Sequence, residues 1–105
     1  MTKIRWSEVA LRDVRSLKRY IAQDSPFYAR QFCERLMATV DKLAEFPQIG
    51  RRVPEADESS EEIRELIYRD YRILYWVEPG ADCVQILAVI HGARDLAGMA
   101  QKPWQ

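Results

Sequence analysis

Apolar residues along this chain follow two different rhythms. From Ala10 they recur every three to four positions, as Ala10, Val14, Leu17 and Ile21, with Leu11 and Tyr20 widening the stripe. That is helical spacing, because ~3.6 residues per turn bring such positions to one face. Arg12, Arg15, Lys18 and Arg19 take the other side. Ser7 is a natural N-cap and Glu8 complements the positive helix end, so a helix is predicted over 7–23. After "DSP" (24–26) a second stripe follows: Ala29, Phe32, Cys33, Leu36, Val40, Leu43 and Ala44. Residue 24 or 25 caps it, Pro26 sits at the first position where its missing N–H is harmless, and Phe46-Pro47 ends it. Only about two residues join the helices, so they fold back as an antiparallel hairpin.

Elsewhere the period is two. "KIRW" (3–6) reads as a brief strand. "IRELIYRDYRILYWV" (63–77) puts Arg64, Leu66 and Tyr68 on one face. After a turn near Arg69-Asp70, Tyr71, Ile73, Tyr75 and Val77 repeat the pattern. Pro79-Gly80 in "EPGAD" (78–82) makes a hairpin turn. "CVQILAVIH" (83–91) is the most apolar strand and is expected at the centre of the sheet. The tail "RDLAGMAQKPWQ" predicts a short helical turn before Pro103. Between helices and strands, 46–62 reads as a connecting loop punctuated by Pro47, Gly50 and Pro54. Its first half is basic (Arg51, Arg52). Its second half is acidic (Glu55, Asp57, Glu58, Glu61, Glu62) and is expected to be solvated and mobile. The order β-α-α-β-β-β predicts one α+β domain over 1–105, with the helical hairpin packed on one face of an antiparallel sheet.

Composition agrees with one globular domain. The chain has 105 residues, 48% hydrophobic and 30% charged. Such a length buries roughly 65% of the unfolded surface. Sixteen Lys/Arg balance sixteen Asp/Glu, but unevenly. Residues 1–54 carry eleven basic against six acidic groups (+5), and 55–105 carry five against ten (−5). Nucleic-acid binding would therefore need a local basic patch. Cys33 and Cys83 lack ligand spacing and His91 is the lone histidine, so two reduced thiols and no metal or cofactor are expected. The opening "MTKIRWSEVALRD" has no signal-peptide core, and no run of ~18 apolar residues spans a membrane, so a cytoplasmic protein is expected.

The candidate chemistry is sparse. Phosphate loops, nucleophile elbows and metal motifs are missing. A metal-free RNA-cleaving site would need a base, an acid and cations for the developing phosphorane charge. Arg64, Arg72, His91 and Arg94, on or just beyond adjacent strands, are the candidates, the arginines for the charge and His91 as acid or base. Against it, Glu65 points away from Arg64 by strand alternation. The plainer alternative makes Arg64 and Arg72 cross-strand partners of acidic groups and has His91 end a strand and hold the next turn. No catalytic residue is expected on that reading. The aromatics Tyr71, Tyr75, Trp76 and Trp104, with Arg51 and Arg52, read either as core or as a contact surface for a partner.

Four stretches together carry a resemblance: "WSEVALRDVRSLKRYIAQDSPFYARQF" (6–32), "LAEFPQIGRRVPE" (43–55), "IRELIYRDYRILYWV" (63–77) and "VIHGARD" (89–95). The chain resembles the RelE/ParE superfamily of toxins from type II toxin–antitoxin systems. The resemblance implies a strand–helix–helix–three-strand fold and a cognate antitoxin that wraps the toxin, with promoter DNA bound only through the antitoxin. It also implies one of two targets. RelE-like members cut messenger RNA in the ribosome, whereas ParE-like members inhibit DNA gyrase by contact. Three departures favour the ParE-like side: loop arginines in place of a lysine cluster, no tyrosine after His91, and zero net charge.

Overall fold

The computed structural model describes residues 1–56, 62–80 and 82–105. β1 (Lys3–Trp6) leads into α1 (Glu8–Ala22) and α2 (Pro26–Asp41), then a 3-10 turn at Lys42–Ala44. β2 (Arg51–Arg52), β3 (Ile63–Tyr68), β4 (Tyr71–Val77) and β5 (Cys83–His91) complete it. The predicted caps are present. Ser7 Oγ accepts from Ala10 N–H at 3.0 Å and donates to Leu87 O, tying α1 to the sheet. Ser25 Oγ accepts from Tyr28 N–H, with Pro26 at the first position of α2.

The sheet order is β1-β5-β4-β3-β2. Three expectations change here. β1 pairs with β5 in parallel, so the sheet is mixed, because the helical hairpin returns the chain to the sheet before the last strand docks beside the first. β5 is interior, but the middle position belongs to β4, since β1 covers the outer edge of β5. The basic half of the connecting loop is a strand: Arg51 lies opposite Glu65 and Arg52 opposite Arg64. The acidic stretch over 57–61 lies outside the described residues.

Both sheet faces are covered. On the helix side Ala10, Phe32, Leu36, Val40 and Leu43 meet Ile73, Tyr75, Val84, Ile86 and Val89. On the other side Val53, Ile63, Leu74, Ala88 and Ile90 pack under Leu96, with Trp76, Met99 and Trp104 half-buried around them. A register shift beside Leu74/Tyr75 lets Ile86 and Val89 face the same core despite their odd spacing. The tail after β5 runs as turns, not as the predicted helical turn, and Leu96 anchors it. Leu11 and Tyr20, expected in the α1 stripe, are exposed; the hairpin needs only a narrow stripe. Among the described residues no helix is long and apolar enough to cross a membrane.

Candidate functional site

Strand alternation decides which charged groups meet. Arg64, Leu66 and Tyr68 sit on the helix side of β3, leaving Ile63 and Glu65 on the other face. On β4, Arg72 shares that second face with Leu74 and Trp76. Ile67 lies directly opposite Arg72, and Glu65 is its diagonal neighbour, within reach of a long side chain. Arg72 Nε therefore donates to Glu65 Oε1, and its two terminal nitrogens fork onto Glu55 at 2.9 and 2.7 Å. Arg51 Nε takes the other Glu65 oxygen at 2.7 Å. Glu65 is 1% exposed and Arg72 7%, so this is a buried ionic chain with every carboxylate oxygen of Glu65 engaged. Arg64 is held separately, by Glu62 at 2.8 Å and by the Gly50 carbonyl at 2.7 Å.

The Arg72 fork holds the Glu55 carboxyl below its ordinary value near 4.5. The pair therefore stabilises the fold fully above that value, and its contribution is lost as pH falls through the lowered one. Asp13 opposes this: burial raises its pKa, although Val89 N–H donates to it at 2.9 Å. Thermal unfolding from about pH 6 to pH 3 should therefore fall more steeply for the native chain than for Glu55→Gln. Parallel curves would show that the fork contributes nothing.

His91 ends β5 on the opposite face. Its ring meets Tyr71 edge-on at 5.5 Å, and its Nδ1 accepts from Ala93 N–H at 3.0 Å. It is exposed and holds the following turn, where Gly92 N–H also reaches Asp70 O. Arg94 lies exposed beyond that turn. A shallow hollow of about 230 Å³ at the strand ends is lined by both His91 and Arg72, but the Arg72 guanidinium is turned into its carboxylates. Of the four, the hollow therefore brings together Arg72 and His91, and neither Arg64 nor Arg94 lines it. Among the described residues no group of His, Cys, Asp and Glu could hold a metal.

The predicted contact aromatics also divide. Tyr75 is fully buried and its hydroxyl accepts from Gly50 N–H at 3.0 Å, so it has no surface to offer a partner. Tyr71 packs on Phe32, while Trp76 lies on the far face, where Trp104 of the tail packs against the same cluster. Arg51 stays largely exposed while bound to Glu65, and Arg52 is exposed. The open aromatics are others: Tyr20, Phe27, Tyr28 and Phe46. Sequence reasoning missed them. Their signal was present in Phe27 and Tyr28, which lie outside the Ala29–Phe32–Leu36 stripe. Phe46, Pro47, Gln48 and Ile49 form an apolar hollow of about 430 Å³ just before β2.

Residues 4–96 match the family model described as ParE toxin of type II toxin-antitoxin system, parDE. The chain belongs to the ParE toxin family. Toxin RelE2 of Caulobacter vibrioides is 35% identical over 95 residues, covering 90% of this chain and 99% of that protein. A chain of the chromosomal ParDE system from P. aeruginosa superposes with a TM-score of 0.69 at 19% identity, covering 87% of this chain and 96% of that one. A chain of the intact E. coli RelBE toxin–antitoxin complex superposes with a TM-score of 0.56, also at 19% identity, covering 90% and 100%. The RelE/ParE-like α+β fold expected from the sequence is therefore the fold of this ParE-family toxin.

Proposed function

We propose that this toxin is neutralised by a cognate antitoxin and acts by binding DNA gyrase rather than by cutting RNA. One observation carries the choice. Arg72, the strand cation a nuclease would aim at the scissile phosphate, is buried and engaged by Glu55 and Glu65 on the face opposite His91. A charge already neutralised by two carboxylates offers little to a developing phosphorane. The contact surface is the segment before and within β2, where exposed Phe46 and Ile49 adjoin exposed Arg52. Apolar anchors beside arginine are what a protein interface uses.

Purified toxin should inhibit gyrase supercoiling, and induction should give filamentation with an SOS response. His91→Ala should remain as toxic as the native chain. Phe46→Ala with Arg52→Glu should weaken inhibition at least about tenfold without lowering Tm. Rapid translational arrest with cut transcripts, abolished by His91→Ala, would instead assign a ribosome-dependent endoribonuclease.

A further inference from the structure

We propose that the cleft between α2 and the β3–β4 turn is an anchor pocket for one apolar side chain of the antitoxin, flanked by an antitoxin carboxylate that Arg35 and Arg69 bind. The inference rests on the antitoxin partnership proposed above and is independent of the gyrase reading.

The cleft holds about 160 Å³ and is lined by Ile21, Tyr28, Phe32, Arg35, Tyr68 and Arg69, with Gln31 at its side. A cavity of roughly 150 Å³ accepts one benzene ring, so this one takes a single leucine- or phenylalanine-sized group and is too small for a nucleotide. Phe32 is buried and stacks obliquely on Tyr68 at 5.4 Å, giving an apolar floor. Tyr28, Arg35 and Arg69 are exposed and form the rim.

Charge identifies the neighbour of that side chain. Among the described residues neither Arg35 nor Arg69 has a carboxylate within ion-pair distance, so both guanidiniums on this rim are open to an anion. The Arg69 guanidinium instead lies 5.8 Å from the centre of the Tyr68 ring, with Nε 3.3 Å from the Tyr68 hydroxyl. Arg69 is also the one non-glycine residue at positive φ, 53°, among the described residues. A side chain crowds the backbone there, and turns normally give that place to glycine or asparagine. Keeping an arginine in that conformation is explained by a use for its side chain. Phe27, 60% exposed, meets the rim's Tyr28, 62% exposed, edge-on at 5.8 Å. Large aromatics grouped in this way mark an interface. A second copy docking symmetrically would bring the same arginines face to face, which like-charge repulsion disfavours.

The test titrates full-length toxin with the antitoxin encoded beside it, by calorimetry, at two salt concentrations. Tyr28→Ala, Arg35→Glu and Arg69→Glu should each weaken binding about tenfold or more, with circular dichroism and Tm retained. The two charge reversals should also flatten the salt dependence. Arg19→Glu, exposed on α1 but outside the cleft, should bind as the native chain does. Three results overturn the proposal: native affinity in all three cleft variants; native affinity with lost gyrase inhibition, which assigns the cleft to the target; and self-association of the toxin abolished by Tyr28→Ala, which assigns it to a second copy. Failure of the native toxin to bind the antitoxin would remove the partnership itself.

Discussion

Arg72→Ala is expected to destabilise the toxin strongly, not merely to disarm it. Glu65 is fully buried, and Arg72 is its deeper partner; Arg51, the other, lies largely in solvent. Deleting one member of a buried ion pair leaves an uncompensated charge and costs about 3–5 kcal/mol. Domains of this size are stable by only roughly 5–15 kcal/mol, and each kcal/mol moves Tm by about 4–8 °C. A Tm drop of at least about 12 °C should follow, with loss of toxicity as a consequence. Arg72→Lys should rescue little, because an ammonium cannot fork onto Glu55 while also meeting Glu65. The double variant Glu65→Leu with Arg72→Met should recover most of the loss, since apolar groups of similar size often replace a buried pair at little cost. Thermal unfolding monitored alongside growth inhibition separates the two cases. Arg72→Ala that keeps its native Tm and loses toxicity would mean that the guanidinium contacts the target's reacting groups, and the gyrase reading would fall with it.

Gly50→Val should detach β2 from the sheet. A Cβ at Gly50 would stand 2.7 Å from the Tyr75 hydroxyl and 2.9 Å from its ring carbon Cε1, and would also run into the Glu65 carbonyl. Tyr75 cannot yield, because it is wholly buried in the helix-side core, and the carbonyl belongs to β3. Overpacking of this kind costs about 1–3 kcal/mol. Its local effect is larger than its global one, because β2 has only Arg51 and Arg52 to hold it. Losing their pairing also loosens Arg51 from Glu65 and shifts the Phe46–Ile49 hollow. The expected result is a Tm lowered by about 4–24 °C, proteolytic nicking near Arg51 and Arg52 and, on the gyrase reading proposed above, much weaker inhibition. Unchanged nicking would show that the segment is held by something other than the close approach at Gly50.

How far the sequence could be read differs from element to element. The caps at Ser7 and Ser25, with Pro26 behind the second, were legible because each depends on a backbone N–H two or three residues away. The hairpin turns at Arg69-Asp70 and Pro79-Gly80 were legible for the same reason. β2 was not, since two charged residues have no period, and their pairing is supplied by β3. Alternation placed Glu65 away from Arg64, but it could not say that Glu65 would meet Arg72, because that requires the register between strands. Which of the expected contact aromatics would be open was not legible for a related cause: Tyr75 and Trp76 are neighbours in sequence yet lie on opposite faces, and only the covering layers decide whether either is open.

The sequence by itself determined this protein's helical hairpin and its strand-rich last third, because these rest on spacings and caps repeated along a short stretch of chain; the family followed from the likeness of whole stretches to known members. The tertiary structure alone decided the parallel docking of β1 on β5, the burial of Arg72 between two carboxylates, the separation of His91 from it and the open cleft at Arg35 and Arg69. Each depends on residues far apart in sequence being brought within a few ångströms, where register, burial and charge pairing are set together.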